Sequence, residues 1–337
     1  MENQNKPETA AEPTKLPAKK KHKKWPWIVL ASVVGANVIL LSTCALILKN
    51  AKNVPNNYWN QQITGGPIEK KYAPLGSFEV ASKEYAQEKV DGKEKHFKFF
   101  HPKATGKYPL VVMVNGTGLP YQQYEQVFEH LASWGYAVVG DDYDQSWDGV
   151  YPDKALSFAL SNGETSPWVD EKKIAIGGHS QGGEGTFNAA IDFANSPKYK
   201  CLFALSATNQ ELALSLGWGH KLGSDGKAAS DSYAYDLSKI SCPALMFAGT
   251  GNFDTQTVLP LEKLKENYSQ IPNGIPTVMA RRGDNVDHGE MLWRSDPYVV
   301  AWLEYWLKGD EEAGKAFFGS DCELAKNVHW QDYASKQ

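Results

Sequence analysis

Ser180 stands in the run Ile174-Ala175-Ile176-Gly177-Gly178-His179-Ser180-Gln181-Gly182-Gly183, where an apolar stretch passes at once into Gly-x-Ser-x-Gly. A serine at a sharp strand-to-helix turn needs small neighbours, because its own backbone leaves the common regions and the helix must pack close to the strand. Gly178 and Gly182 supply that room. The following helix would begin at the serine, so its first amides and dipole favour the negative charge that develops during acyl transfer. Ser180 is therefore the candidate nucleophile, and the backbone N–H of Gln181 a candidate oxyanion donor.

A serine hydroxyl is a weak nucleophile until an imidazole takes its proton, and the imidazole needs a carboxylate to hold its tautomer. After Ser180 the histidines are His220, His288 and His329. His288 lies in the polar loop Arg281-Arg282-Gly283-Asp284-Asn285-Val286-Asp287-His288-Gly289-Glu290, between an apolar strand pattern and a helical one, which suits a base. The acid should follow the strand pattern Pro243 to Gly249, and the next carboxylate is Asp254. Asp284 and Asp287, adjacent to the histidine in sequence, read as solvated loop charges, while Asp231 and Asp236 precede the strand. The second oxyanion donor should come from the loop after Leu110-Val111-Val112-Met113-Val114, where the turn Asn115-Gly116-Thr117-Gly118 aims the N–H of Thr117.

The elements that must hold these residues alternate along the chain. Strand patterns fall at Lys95 to Phe100, Leu110 to Val114, Ala137 to Gly140, Ile174 to Gly177, Leu202 to Leu205, Ala244 to Ala248 and Thr277 to Ala280. Helical spacing falls at Tyr121 to Trp134, Asp153 to Leu160, Gln181 to Ala194, Leu261 to Tyr268 and Pro297 to Leu307. Such alternation predicts a mostly parallel central sheet with helices on both faces. No internal repeat is present, so solenoids and propellers are unsupported.

With these pieces placed, the chain resembles the α/β-hydrolase superfamily, and within it the dienelactone hydrolase, chlorophyllase and cutinase-like polyester hydrolase branch. Gly178-His179-Ser180-Gln181-Gly182-Gly183, His130-Leu131-Ala132-Ser133-Trp134-Gly135-Tyr136 and Ala301-Trp302-Leu303-Glu304-Tyr305-Trp306 carry the resemblance. It implies the α/β-hydrolase fold and an esterase with no metal or organic cofactor. It also implies that Ser180, Asp254 and His288 take the triad positions and that the substrate is a small-molecule or polymeric ester. Residues 208 to 241 form an extended insertion between two strands.

Composition narrows the classes further. Of the net charge of −4, residues 1 to 50 hold eight Lys and three Glu, or +5, which leaves −9 for the rest. A region so acidic, with no basic stripe, argues against a nucleic-acid partner. Trp25 to Leu48 runs without a charge for longer than the ~20 residues that cross a bilayer, behind Lys19, Lys20, Lys21, Lys23 and Lys24. The expectation is an N-terminal transmembrane helix: residues 1–24 a basic cytoplasmic tail, 25–48 the membrane anchor, 49–75 a tether and 76–337 the catalytic domain. That places a single-pass protein in the cell membrane with its catalytic domain outside the cytoplasm. Beyond the anchor, Cys201, Cys242 and Cys322 permit one disulfide or simple burial, and no zinc-like spacing occurs.

Two other readings stay open on the sequence. The same triad serves acyltransferases and peptidases, and Trp147, Trp218, Phe253 and Trp293 suit either an apolar acyl pocket or plain core. A non-catalytic surface binding module with a hydrolase fold is the alternative of a different class.

Overall fold

The computed structural model describes residues 54–220 and 233–337. Nine strands form one sheet: β1 (Val80–Val90), β2 (Lys93–Pro102), β3 (Tyr108–Val114), β4 (Ala137–Asp141), β5 (Val169–His179), β6 (Tyr199–Leu205), β7 (Ala244–Gly249), β8 (Thr277–Arg282) and β9 (Trp330–Lys336). Their order is β1-β2-β4-β3-β5-β6-β7-β8-β9. The strands from β4 through β8 in that order pair in parallel, with Val112 opposite both Val139 and Ile176 and Met246 opposite both Ala204 and Met279. β1, β2 and β9 pair antiparallel at the two margins.

The central strands are apolar on both faces because helices cover both. On one face Val111, Val138, Ala175, Phe203 and Phe247 pack against Val127, Phe128 and Leu131 of the helix Glu125–Ser133 and against Asp296–Leu303. On the other, Val112, Val139, Ile176, Ala204 and Met246 meet Leu156 of Val150–Ser161, Phe187 of Gln181–Ala189 and Leu264 of Leu261–Gln270. Trp302 is fully buried and its indole N–H donates to Leu202 O at 3.1 Å. Truncation to Ala would remove both terms and cost about 3–5 kcal/mol.

The mostly parallel sheet between helices is as expected, and the differences lie at its margins. β1 and β9 escaped the sequence reading because their apolar positions are interrupted by charge, as an edge strand allows. The helix expected from Gln181 to Ala194 stops at Ala189, and that expected from Pro297 to Leu307 widens into a π turn over Glu304–Lys308. Residues 54–75 are not a tether: Tyr58, Glu69 and Tyr72 are buried, and Pro67–Tyr72 is helical. Cys201, Cys242 and Cys322 are buried free thiols, with Cys201 and Cys242 in the cores on opposite sheet faces.

The expected localisation is corrected. Among the described residues no helix is long and apolar enough to cross a membrane; Val150–Ser161, for one, has 12 residues where ~20 are needed. The stretch 25–48 on which the anchor rested lies outside the described residues.

Candidate active site

Ser180 sits between the end of β5 and the helix Gln181–Ala189, with φ 60° and ψ −124°. A serine rarely adopts that backbone, and the surroundings over-determine it. Its N–H donates to Leu205 O at 3.0 Å, and its carbonyl accepts from Gly183 at 2.9 Å and Thr208 at 3.2 Å. The flanking glycines are sterically required: a Cβ on Gly178 would meet Gly182 O at 2.3 Å, and one on Gly182 would meet Val114 O at 2.1 Å.

The loop after β3 lies against this elbow. A Cβ on Gly116 would come within 3.4 Å of Ser180 Cβ. Gly116 N–H donates to the buried Tyr124 hydroxyl at 2.8 Å, and Leu119 N–H closes the turn onto Gly116 O at 3.1 Å. Thr117 is therefore in the turn beside Ser180, and Gln181 is the first residue of the helix, where amides lack intrahelical acceptors. Asn115, just before the turn, donates to the Asp141 carboxylate at 3.0 Å, tying the loop to β4. The Gln181 side chain accepts from Ser146 N–H at 3.2 Å.

Asp254 follows β7 in a π turn, and His288 follows β8 in the short 3-10 turn His288–Glu290. His288 Nδ1–H donates to Asp254 Oδ1 at 2.6 Å. That tautomer leaves the Nε2 lone pair as the acceptor, and Nε2 is buried with no hydrogen-bond partner among the described residues. The other oxygen of Asp254 accepts from Ser206 Oγ at 2.5 Å and Gly249 N–H at 2.7 Å. Burial pushes the Asp254 pKa upward, but the imidazole and these donors outweigh it and hold the carboxyl below its usual range. The loops that carry Asp254 and His288 are also joined through their backbones, Gly251 N–H donating to Val286 O at 2.9 Å.

His179 precedes Ser180 and bonds the backbone of His288. Its Nε2–H donates to His288 O at 2.9 Å, and the rings lie 4.4 Å apart. Burial, reinforced by His288, pushes the His179 imidazole down to about 3, so it stays neutral beside His288. Phe253 stands edge-on to His288 at 5.2 Å.

Of the alternatives weighed on sequence, His329 bonds Asp284 at 2.7 Å, and Asp287 caps the turn that begins at His288. Asp236 caps Ser238. Asp231 lies outside the described residues. His220 lies tilted against Trp147 and Tyr233. Among the aromatics, Phe253 touches His288, whereas Trp293 packs in the core beside Tyr58. Among the described residues no cluster of three or more His, Cys, Asp or Glu could hold a metal ion. Ser206 and His179 were missed on sequence. Each stands at the C-terminal end of an apolar strand, which is the signal that could have found them.

A strained serine, an imidazole oriented by an ionised carboxylate and a helix N-terminus together can carry out nucleophilic acyl transfer. A family model described as Chlorophyllase matches residues 71–148, a stretch that ends before Ser180. Chlorophyllase type 0 of Chenopodium album is 31% identical over 114 residues, covering 28% of this chain and 32% of that protein. Chlorophyllase-1, chloroplastic, of Citrus sinensis is 24% identical over 106 residues, covering 27% and 31%. The match spans about a third of the length of these curated relatives. The chain resembles the chlorophyllase branch of the α/β-hydrolases.

Proposed function

We propose that this chain, a relative of the chlorophyllases, is a serine ester hydrolase of the carboxylesterase kind acting on a small-molecule or polymeric ester. Ser180 Oγ attacks the ester carbonyl while His288 Nε2 takes its proton, and Asp254 holds the imidazole in the required tautomer. The amides of Thr117 and Gln181 receive the oxyanion. Collapse breaks the ester C–O bond, the alcohol leaves with the proton from His288, and Ser180 keeps the acyl group. Water, deprotonated by His288, then adds to the acyl carbon and releases the acid. Likeness to proteins named chlorophyllase supports ester cleavage over other acyl transfers.

The observation that carries this reading is Ser180 held at φ 60° in a strand-to-helix turn whose glycines admit no side chain. A fluorophosphonate probe and short p-nitrophenyl esters test it in the wild type and in Ser180→Ala, Asp254→Asn and His288→Ala. Labelling and turnover are expected to vanish in Ser180→Ala and turnover to fall by about 10³–10⁴-fold or more in the other two. A folded wild type that neither labels nor cleaves any ester would overturn the proposal.

A further inference from the structure

The loop that carries His288 leaves β8 at Arg282 and rejoins helical structure at Met291. Both ends are held by the same distant piece of chain. At the start, Arg282 is buried and forms an ion pair with Glu69, Nη1 to Oε1 at 3.1 Å, while its Nη2 donates to Ile63 O at 2.7 Å. Glu69 is in turn fixed by Asn327 at 2.8 Å and by the Trp330 indole N–H at 3.1 Å. At the far end, Gln62 Nε2 donates to Trp293 O at 2.5 Å and Arg294 Nη1 donates to Gln61 O at 3.2 Å. Tyr58, fully buried, donates its hydroxyl to Asp296 Oδ2 at 2.5 Å, and His130 Nδ1 lies 2.6 Å from the same oxygen.

We propose that residues 58–69 form a positioning brace for His288, fixing both ends of its loop so that the imidazole meets Ser180 and Asp254 in register. This rests on the ester-hydrolase reading above. A surface stretch that merely covered the core would need apolar contacts alone. Here directed hydrogen bonds and a buried ion pair converge on the two flanks of one short loop. The buried ones, Arg282 with Glu69 and Tyr58 with Asp296, are costly to misplace, because each would leave a buried polar group unpaired. They therefore select one position of the loop, and the Arg282 carbonyl passes that position on to the acid loop by accepting from Thr250 Oγ1 at 2.8 Å. None of Tyr58, Gln62 and Glu69 is in the candidate machinery, so they would act through His288.

The test uses the full chain carrying Tyr58→Phe, which deletes one hydroxyl, and separately the pair Glu69→Gln with Arg282→Gln, which removes both buried charges together. Three quantities are read: kcat and KM for p-nitrophenyl butyrate, the rate of fluorophosphonate labelling, and the low-field proton resonance of the His288 Nδ1–H bonded to Asp254. A displacement of about an ångström can cost up to ~10²-fold in rate. We expect kcat and labelling to fall together by about 10-fold, KM to stay within about twofold, and the resonance to broaden or move upfield. Wild-type kcat, labelling and resonance in variants that melt at lower temperature would overturn the brace and leave these residues a purely stabilising role. If either variant fails to fold, Gln62→Ala, which removes one half-buried contact, is measured by the same three quantities. A wild type that does not label would sink the ester-hydrolase reading instead, and the resonance, which needs no turnover, would still decide whether the segment orients His288.

Discussion

Ser206 Oγ lies 2.5 Å from Asp254 Oδ2, on the side of the carboxylate turned away from His288. Ser206 itself has φ 44° and is fully buried, so the chain accepts strain to place this hydroxyl. The bond helps Asp254 stay ionised inside the protein and fixes which oxygen faces the imidazole.

Ser206→Ala should therefore lower kcat by about 10-fold and destabilise the fold by about 1.5–3 kcal/mol, the usual worth of a hydrogen bond to a charged group. The pH dependence has a definite sign. Asp254 has a folded pKa below its unfolded value, so its contribution is present above the unfolded pKa and is lost as pH falls through the folded one. Removing a donor brings those two values closer, and acid inactivation of Ser206→Ala should begin at higher pH than in the wild type. Activity and melting temperature recorded from pH 3 to 7 check this, and an unchanged acid limb would speak against it.

Glu184, one helical turn after Ser180, has the opposite linkage. Its carboxyl is fully buried with neither oxygen hydrogen-bonded among the described residues, and burial pushes its pKa well above the ordinary 4.5, with Asp148 adding to the effect. The folded protein favours its protonated form while the unfolded chain ionises it above about 4.5, so stability declines as pH rises from there toward the raised folded value. Glu184→Gln should be close to the wild type at pH 4 and more stable at pH 8, by up to about 1.4 kcal/mol per pH unit between the two pKa values. Urea midpoints at the two pH values decide it; equal midpoints at pH 8 would show that Glu184 finds a partner.

Gly182→Ala places a methyl 2.1 Å from a backbone oxygen that has no room to retreat, whereas Gly163→Ala meets nothing within 4 Å. The first should lose activity and several kcal/mol of stability, since the helix must back away from β3. The second should be neutral to within about 1 kcal/mol. Comparable melting temperatures for the pair would contradict the packing at the elbow.

What could be read before any coordinates was the part governed by local chemistry. The elbow at Ser180 was legible because such a turn needs glycines next to it in sequence, and the loop at His288 because strand, loop and helix arrive in order. Ser206 and His179 were not, since their partners Asp254 and His288 are 48 and 109 residues away and nothing local encodes the meeting. The segment 54–75 misled for a related reason. Its Asn, Gln, Gly and Pro look like linker, yet Tyr58 bonds Asp296 and Glu69 bonds Arg282, Asn327 and Trp330, all more than 200 residues on. β1 was hidden because charge alternates through it, and the composition of an edge strand is the composition of a loop.

That camouflage at the sheet margins has its own meaning. β1 reads Val-Ala-Ser-Lys-Glu-Tyr-Ala-Gln-Glu-Lys-Val, and β9 at the opposite rim carries Asp332 and Lys336. Each rim offers a row of unpaired amides and carbonyls to any passing strand, and the charges make such docking unfavourable. The interior strands, apolar on both faces, would be the most adhesive sequences in the chain if they stood at a border. Charge along β1 therefore disfavours edge-to-edge zipping of copies, as is usual for an exposed edge strand.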